Sequence, residues 1–249
     1  MPMLQFMDTV VAHSVQTAAT YQQLIPQMFM GETIHPQPIP FFGNVQDPDV
    51  KYFTIGANPS AGEFFHRDWN GALTTAPLCA RLLHYFDQGQ NPHPWFATWN
   101  AALARLGIQF GQNLAHLDIS YRATKSMGTF KGQQRALFDQ MILDDSQFFL
   151  ELLNRVLPRA RGLLMAGTAG RHYINHLFNK IAAGNNLRLK LVRTLHPGPK
   201  ARIDLLQLQG AGWPVPVFFC SSSPSDRWNP GLFVNHTHAV VPALQEHGF

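Results

Sequence analysis

The chain has 249 residues, with 45% hydrophobic and 14% charged residues and a formal net charge of +4. That apolar content excludes global disorder, and the length suits one large α/β domain or two small ones. The mild positive charge permits an anionic partner without requiring one. The only cysteines, Cys79 and Cys220, cannot supply a four-thiolate cluster or a disulfide framework, so a reducing, cytoplasmic compartment is expected. No apolar run approaches the roughly 18 residues of a membrane span, and MPMLQFMDTV lacks the basic and apolar regions of a secretory signal.

In chain order, residues 5–30 read as a helix, with Val10, Val11, Val15, Ala18, Leu24 and Met28 returning at helical spacing. HPQPIPFFGN (35–44), interrupted by three prolines, reads as an irregular linker, so residues 1–37 are set apart from a main domain at 38–249. Val50–Gly56 is a buried strand followed by a long loop. Helices are expected over Ala76–Asp87 and Pro94–Leu106, and a second strand over Asn113–Asp118. A basic loop follows, carrying Arg122, Lys125, Lys131 and Arg135. Gln133–Val156 reads as a helix broken near Asp144–Asp145, and Gly162–Gly167 as a third strand leading to a helix that ends near Ala183. Leu187–Leu195 and Ile203–Gln209 read as strands joined by the turn HPGPKA, Val215–Cys220 as a further strand, and His236–Gln245 as the last helix. Strand and helix alternate through the centre, which predicts an α/β fold with a mainly parallel sheet between helical layers, a three-layer sandwich. Ligands of such sheets bind beyond the carboxyl ends of the strands, here the loops after Gly56, Asp118, Gly167 and Cys220.

Two of these loops carry the distinctive residues. In GANPSAGEFF (56–65), Gly56 and Ala57 allow a close turn, Asn58 offers an amide that orients a water without ionising, and Phe64 and Phe65 offer flat apolar faces around Glu63. By itself this is also what an Asn-Pro turn beside core aromatics looks like. In SSSPSDRW (221–228), Ser221, Ser222, Ser223 and Ser225 supply hydroxyls suited to phosphate oxygens, with Arg227 and Trp228 at the tip. By itself this is also a solvated serine-rich loop.

Taken together, FTIGANPS at the first strand end and FFCSSSPSDR at the last resemble the uracil-DNA glycosylase superfamily, over about residues 38–249. The Asn of GANPS resembles the mismatch-specific and single-strand-selective branches, and the serine-rich second motif the thymine-DNA glycosylase branch. The resemblance implies a uracil-DNA glycosylase-like fold and a monofunctional enzyme, with no metal or cofactor, that works as a monomer on single- or double-stranded DNA. It places Asn58 at the water-positioning position, Phe64 or Phe65 on the flipped base with Gly56 and Ala57 beside it, and Asp118 at the base-reading position. Ser223 falls where the second motif has His, Ser225 on its serine, Ser221 and Ser222 on flanking phosphates, and Arg227 or Trp228 at the wedge. Tyr121 is a further aromatic that could cover the base.

LHPGPK (195–200) competes for the second motif and would make His196 catalytic, but a strand follows it rather than the final helix. Two departures bear on the substrate. Ser223 removes a strong donor to the leaving base, and Asp118 replaces an amide. An ionised carboxylate only accepts hydrogen bonds and would disfavour a uracil carbonyl, whereas a protonated or capping Asp118 would not. There is no GxSxG, GxxxxGK or HExxH signature. GTAGRHY (167–173) reads as close helix–strand packing, and His236 and His238 read as surface residues. The expected activity is hydrolysis of a modified base from DNA. The other readings are a non-cleaving nucleic-acid or nucleotide binder of the same fold, and an unrelated α/β hydrolase using Glu63 or a serine.

Overall fold

A computed structural model describes residues 2–24, 37–59, 74–87, 93–124, 131–167, 173–198, 201–210, 212–224 and 230–249. Its helices are α1 (Met3–Leu24), α2 (Thr75–Leu83), α3 (Pro94–Leu103), α4 (Gly132–Val156), α5 (Tyr173–Gly184), α6 (Pro230–Ala239) and α7 (Val241–Glu246). Its strands are β1 (Phe41–Phe42), β2 (Tyr52–Gly56), β3 (Leu114–Asp118), β4 (Gly162–Ala166), β5 (Arg188–Gly198), β6 (Ala201–Gln209) and β7 (Val215–Cys220). Among these residues no helix is long and apolar enough to cross a membrane.

The seven strands form one mixed sheet in the order β1-β3-β2-β4-β7-β6-β5. The centre, β3-β2-β4-β7, is parallel, whereas β1 and the β5–β6 hairpin add antiparallel edges. Central strands covered on both faces need near-continuous apolar sequence, and YFTIG, GLLMA and VPVFFC supply it. The buried polar residues of these central strands, Thr54, His116 and Asp118, are therefore the anomalies of the parallel centre. Counted in chain order, the parallel strands lie second, first, third, fourth. The connections part company between β2 and β4, the switch point beyond whose carboxyl ends open α/β sheets place their ligand crevice.

The helices pack as pairs. Trp99 of α3 meets Phe233 of α6 with ring centres 4.7 Å apart, and Phe149 of α4 meets Phe178 of α5 at 5.8 Å. Pro94 opens α3 where a missing N–H costs nothing, and the His93 ring accepts from the Trp95 N–H at 3.3 Å.

Three expectations need correction. Residues 35–44 are not wholly irregular. Pro36, Pro38 and Pro40 stop short of Phe41 and Phe42, which pair with Leu117 and His116 and are buried with Ile39. Helix α4 runs unbroken through Asp144 and Asp145, because both carboxylates find partners instead of competing for the helix backbone. In α1 the inward face is Met3, Phe6, Met7, Val10, Ser14 and Tyr21, while Val15 and Leu24 of the expected stripe point to solvent. Met28 lies outside the described residues. The inner face of α1 is partly polar because it meets a buried arginine, described below.

Candidate functional site at the carboxyl edge of the sheet

Beyond β2 and β3 the backbone ladder continues into the loops. Ile119 N–H donates to Gly56 O at 3.0 Å, Ser120 N–H to Ala57 O at 2.9 Å, and Thr124 N–H to Pro59 O at 3.2 Å. Residues 57–59 are thereby held against residues 119–124. Asn58 is half-buried, and its side chain faces Arg122 O at 3.0 Å, Thr124 Oγ1 at 2.6 Å and Pro59 O at 3.1 Å. Two of these are carbonyl oxygens, which only accept, so the atom facing them is Nδ2. The orientation of the amide is thus fixed, and Oδ1 takes part in no hydrogen bond among the described residues.

The 119–124 loop is itself anchored by Arg122, which is buried although it belongs to a basic segment. Arg122 Nε donates to Asp145 Oδ2 at 3.0 Å and Oδ1 at 3.2 Å, and Ser120 Oγ donates to the same carboxylate at 2.6 Å. Arg122 Nη2 donates to Tyr121 Oη at 2.6 Å and to Thr17 Oγ1 of α1, and the guanidinium lies over the rings of Tyr21 and Tyr121. Tyr121 Oη also meets His13 Nδ1 at 2.6 Å, so Tyr121 is turned into the α1 interface and does not cover a base. Burial raises its phenol pKa and that of Tyr21. Of the other basic residues, Lys131 is exposed, Arg135 pairs with Asp139 at 3.1 Å, and Lys125 lies outside the described residues.

Asp118 ends β3 opposite Gly56 of β2, and Thr54 lies opposite His116, so all four share one face. Asp118 Oδ1 is 3.2 Å from His116 Nε2, and His116 Nδ1 is 2.8 Å from Thr54 Oγ1. A Cβ on Gly56 would lie 2.5 Å from Asp118 Oδ1 and 2.9 Å from the His116 ring, so only glycine fits there. The rings of Phe42, Trp95 and Phe96 enclose His116. Asp118 Oδ2 is buried without a hydrogen-bond partner. Burial pushes the Asp118 carboxyl up, against the opposing pull of His116.

The serine-rich loop stands two strands from Asn58 on the same edge, β4 lying between β2 and β7. Ser221 extends the β6–β7 ladder, its N–H donating to Arg202 O at 2.9 Å while its Oγ accepts from Arg202 N–H at 2.9 Å. Ser222 Oγ is 2.9 Å from His236 Nδ1, and Ser223 is buried. His236 is thus not a surface residue. It is 9% exposed, and burial lowers its pKa. His238 meets Ala101 O at 3.0 Å. The HPGPK segment is a hairpin end, with Gly198 opposite Ala201 and His196 exposed on β5. A Cβ at Gly198 would nonetheless lie 3.1 Å from His236 Nε2, so both candidates for the second motif meet at one imidazole.

Glu63, Phe64, Phe65, Ser225, Arg227 and Trp228 lie outside the described residues, as do residues 168–172 of GTAGRHY. The structure brings Gly56, Ala57, Asn58 and Asp118 together, with Ser221, Ser222 and Ser223 further along the same edge. Sequence reasoning missed His116, Asp145 and His236. His116 had a signal, being a polar residue two positions before Asp118 in an apolar strand and so on its face. His236 had none, since only the fold carries it to Ser222. Searches of family models, curated proteins and solved structures find no match to this chain.

Proposed function

We propose that this chain is a monofunctional DNA glycosylase with a three-layer, uracil-DNA glycosylase-like fold, hydrolysing the N-glycosidic bond of a modified, uracil-like base. The observation that carries this reading is the fixing of Asn58 at the carboxyl end of β2, with Nδ2 spent on protein acceptors and Oδ1 left to accept from a water. The second parallel strand of the crevice ends in a buried carboxyl group with an unpaired oxygen, as a base-reading side chain requires.

A base stacked in a duplex is out of reach, so the nucleotide rotates into the crevice. The C1′–N bond breaks with its electron pair going to the base, while the water held by Asn58 forms the new C1′–O bond. The water's proton balances the departing base anion, leaving a free base and an abasic sugar. Groups aimed at the charge that develops on the base supply the rate. Asp118 faces the edge of that base. Burial favours its protonated form, which donates and accepts as an amide does, whereas the ionised form only accepts. Phe64, Phe65, Ser225, Arg227 and Trp228 keep the roles that the resemblance implies.

The test is alkali-induced strand cleavage of oligonucleotides bearing uracil, hypoxanthine, xanthine or a 5-substituted pyrimidine, single- and double-stranded. Wild type is expected to cut at least one of them, and Asn58→Ala to lose about 10²-fold or more. Absence of breaks on all of them with DNA still bound establishes the second reading, a non-cleaving binder. That reading is favoured by Ser223 standing where the second motif carries His, which removes a strong donor to the leaving base. Asp118→Asn tests the base edge. Equal uracil cleavage by wild type and variant shows a carboxyl that reads uracil as an amide does, and a rise in the variant shows a pocket that prefers another base.

A further inference from the structure

The outer edge of β5 lies far along the sheet from the crevice, and four separate features meet on it. It is the last strand of the sheet, and no strand among the described residues pairs with its far side. Its middle carries Leu191 and Val192, 50% and 52% exposed, side by side. Arg188, Lys190 and Arg193 are exposed around them, and the strand contains no acidic residue. Two hollows flank it, one of about 390 Å³ beside Arg188 and Gly210, the other of about 260 Å³ beside Arg193 and Pro242 of α7.

We propose that the β5 edge is a docking strand for an extended acidic peptide segment of a partner protein, added to the sheet as an eighth strand. A free edge offers backbone N–H and C=O groups in register, and flanking hollows receive alternate side chains of an added strand. The charge selects the occupant. Glutamates or aspartates meet Arg188, Lys190 and Arg193, and apolar residues between them cover Leu191 and Val192. The acid that faces Arg193, Glu246, sits 3.7 Å from it with both side chains largely in solvent, a pairing that a closer carboxylate displaces, while Asp204 of β6 is buried and taken up by Thr194 and Arg202. A second copy of the chain would bring the same three cations against themselves. Lys190 and the register shift at Val192 are devices that keep an edge from pairing indiscriminately. On this strand they coexist with exposed apolar side chains, so like-charged strands are refused and acidic ones admitted.

The probe is a fluorescent, N-acetylated peptide alternating glutamate and valine, titrated into the full chain and compared with its lysine–valine counterpart. The acidic peptide is expected to bind, to weaken as salt is raised, and to slow hydrogen exchange of Arg188–Arg193 amides. The double variant Lys190→Glu, Arg193→Glu alters only exposed side chains and is expected to bind the acidic peptide at least about tenfold more weakly. Leu191→Lys is expected to weaken it as well. The proposal is overturned if the lysine peptide binds equally, if the acidic peptide leaves β5 exchange unchanged, or if the double variant binds as wild type does. It is also overturned if sedimentation shows a wild-type dimer that Leu191→Lys dissociates, or if a DNA oligonucleotide rather than the peptide protects β5. Base cleavage plays no part in these readouts.

Discussion

Asp118 and Asp145 are both buried carboxylates held by the same stretch of chain, β3 and the loop that follows it, yet their surroundings are opposite. Asp145 meets a guanidinium through both oxygens and a serine hydroxyl besides. Asp118 meets one imidazole through one oxygen, and its other oxygen is buried without a hydrogen-bond partner. Burial raises the pKa of both carboxyls, but at Asp145 Arg122 and the Ser120 hydroxyl pull against it, while at Asp118 only His116 does. A compensated buried charge fixes geometry, here the loop that receives Asn58. An uncompensated one is costly to ionise, so its protonated form is favoured.

The contrast is broken most severely at Asp145. Asp145→Ala leaves Arg122 buried and unpaired, which costs about 3–5 kcal/mol and undoes the anchor of α1 at Thr17 and Tyr121. Urea denaturation measures the loss. A variant as stable as wild type would show that the pair is not buried in solution.

Gly56→Ala acts from the other side. Its methyl group would press on Asp118 and His116 at once, and the cost is about 1–3 kcal/mol because backbone pairing on both sides prevents β2 from moving away. Under the proposed glycosylase reading, cleavage should fall further than stability, since the group displaced is the carboxyl proposed to face the base. A unit loss of stability with activity intact would separate Asp118 from the site.

Asp118→Asn has a smaller effect and the opposite sign. The folded pKa of Asp118 lies above its unfolded value, so the folded state binds more protons and stability falls as pH rises from about 4 through the folded pKa. The amide has no charge to bury. The variant is therefore expected to match wild type near pH 4 and to exceed it by about 1 kcal/mol near pH 8. Denaturation midpoints at the two pH values check this, and a gap that does not widen with pH would show that the carboxyl ionises freely.

How much of this was legible in the sequence differs between the two acids. The central strands and their order along the chain follow from apolar runs ending at glycine or a polar residue, and Asp118 could be singled out because it closes such a run. Asp145 could not. In sequence, Asp144–Asp145 looks like an interruption of a helix, and only the approach of Arg122 from the β3 loop makes it part of one. The same holds for α1. Its apolar spacing selected Val15 and Leu24, because nothing local shows that Thr17 and Tyr21 turn inward to an arginine 105 residues beyond Thr17, or His13 to the neighbouring Tyr121. His236 follows the same rule, and Phe41–Phe42 became a strand only because β3 offered an edge.

The smallest expected effect concerns His13, at the rim of the compensated acid. Its Nδ1 meets Tyr121 Oη, which already accepts from Arg122 and so has its own proton to give, making the neutral imidazole the natural acceptor. Burial lowers the His13 pKa and Arg122 adds to that, while Asp145 and Asp144 oppose them. A lowered folded pKa means that stability is whole above about pH 6.5 and is lost as pH falls from there through the folded pKa, when a second positive charge is forced beside the guanidinium. His13→Gln keeps an acceptor and cannot be protonated, so its α1 amides should exchange at a rate independent of pH below neutrality once intrinsic exchange is corrected for. In wild type the same amides should lose protection on acidification while those of β2 and β4 keep theirs. Equal acid sensitivity in the two proteins would place the weak point elsewhere in the α1 interface.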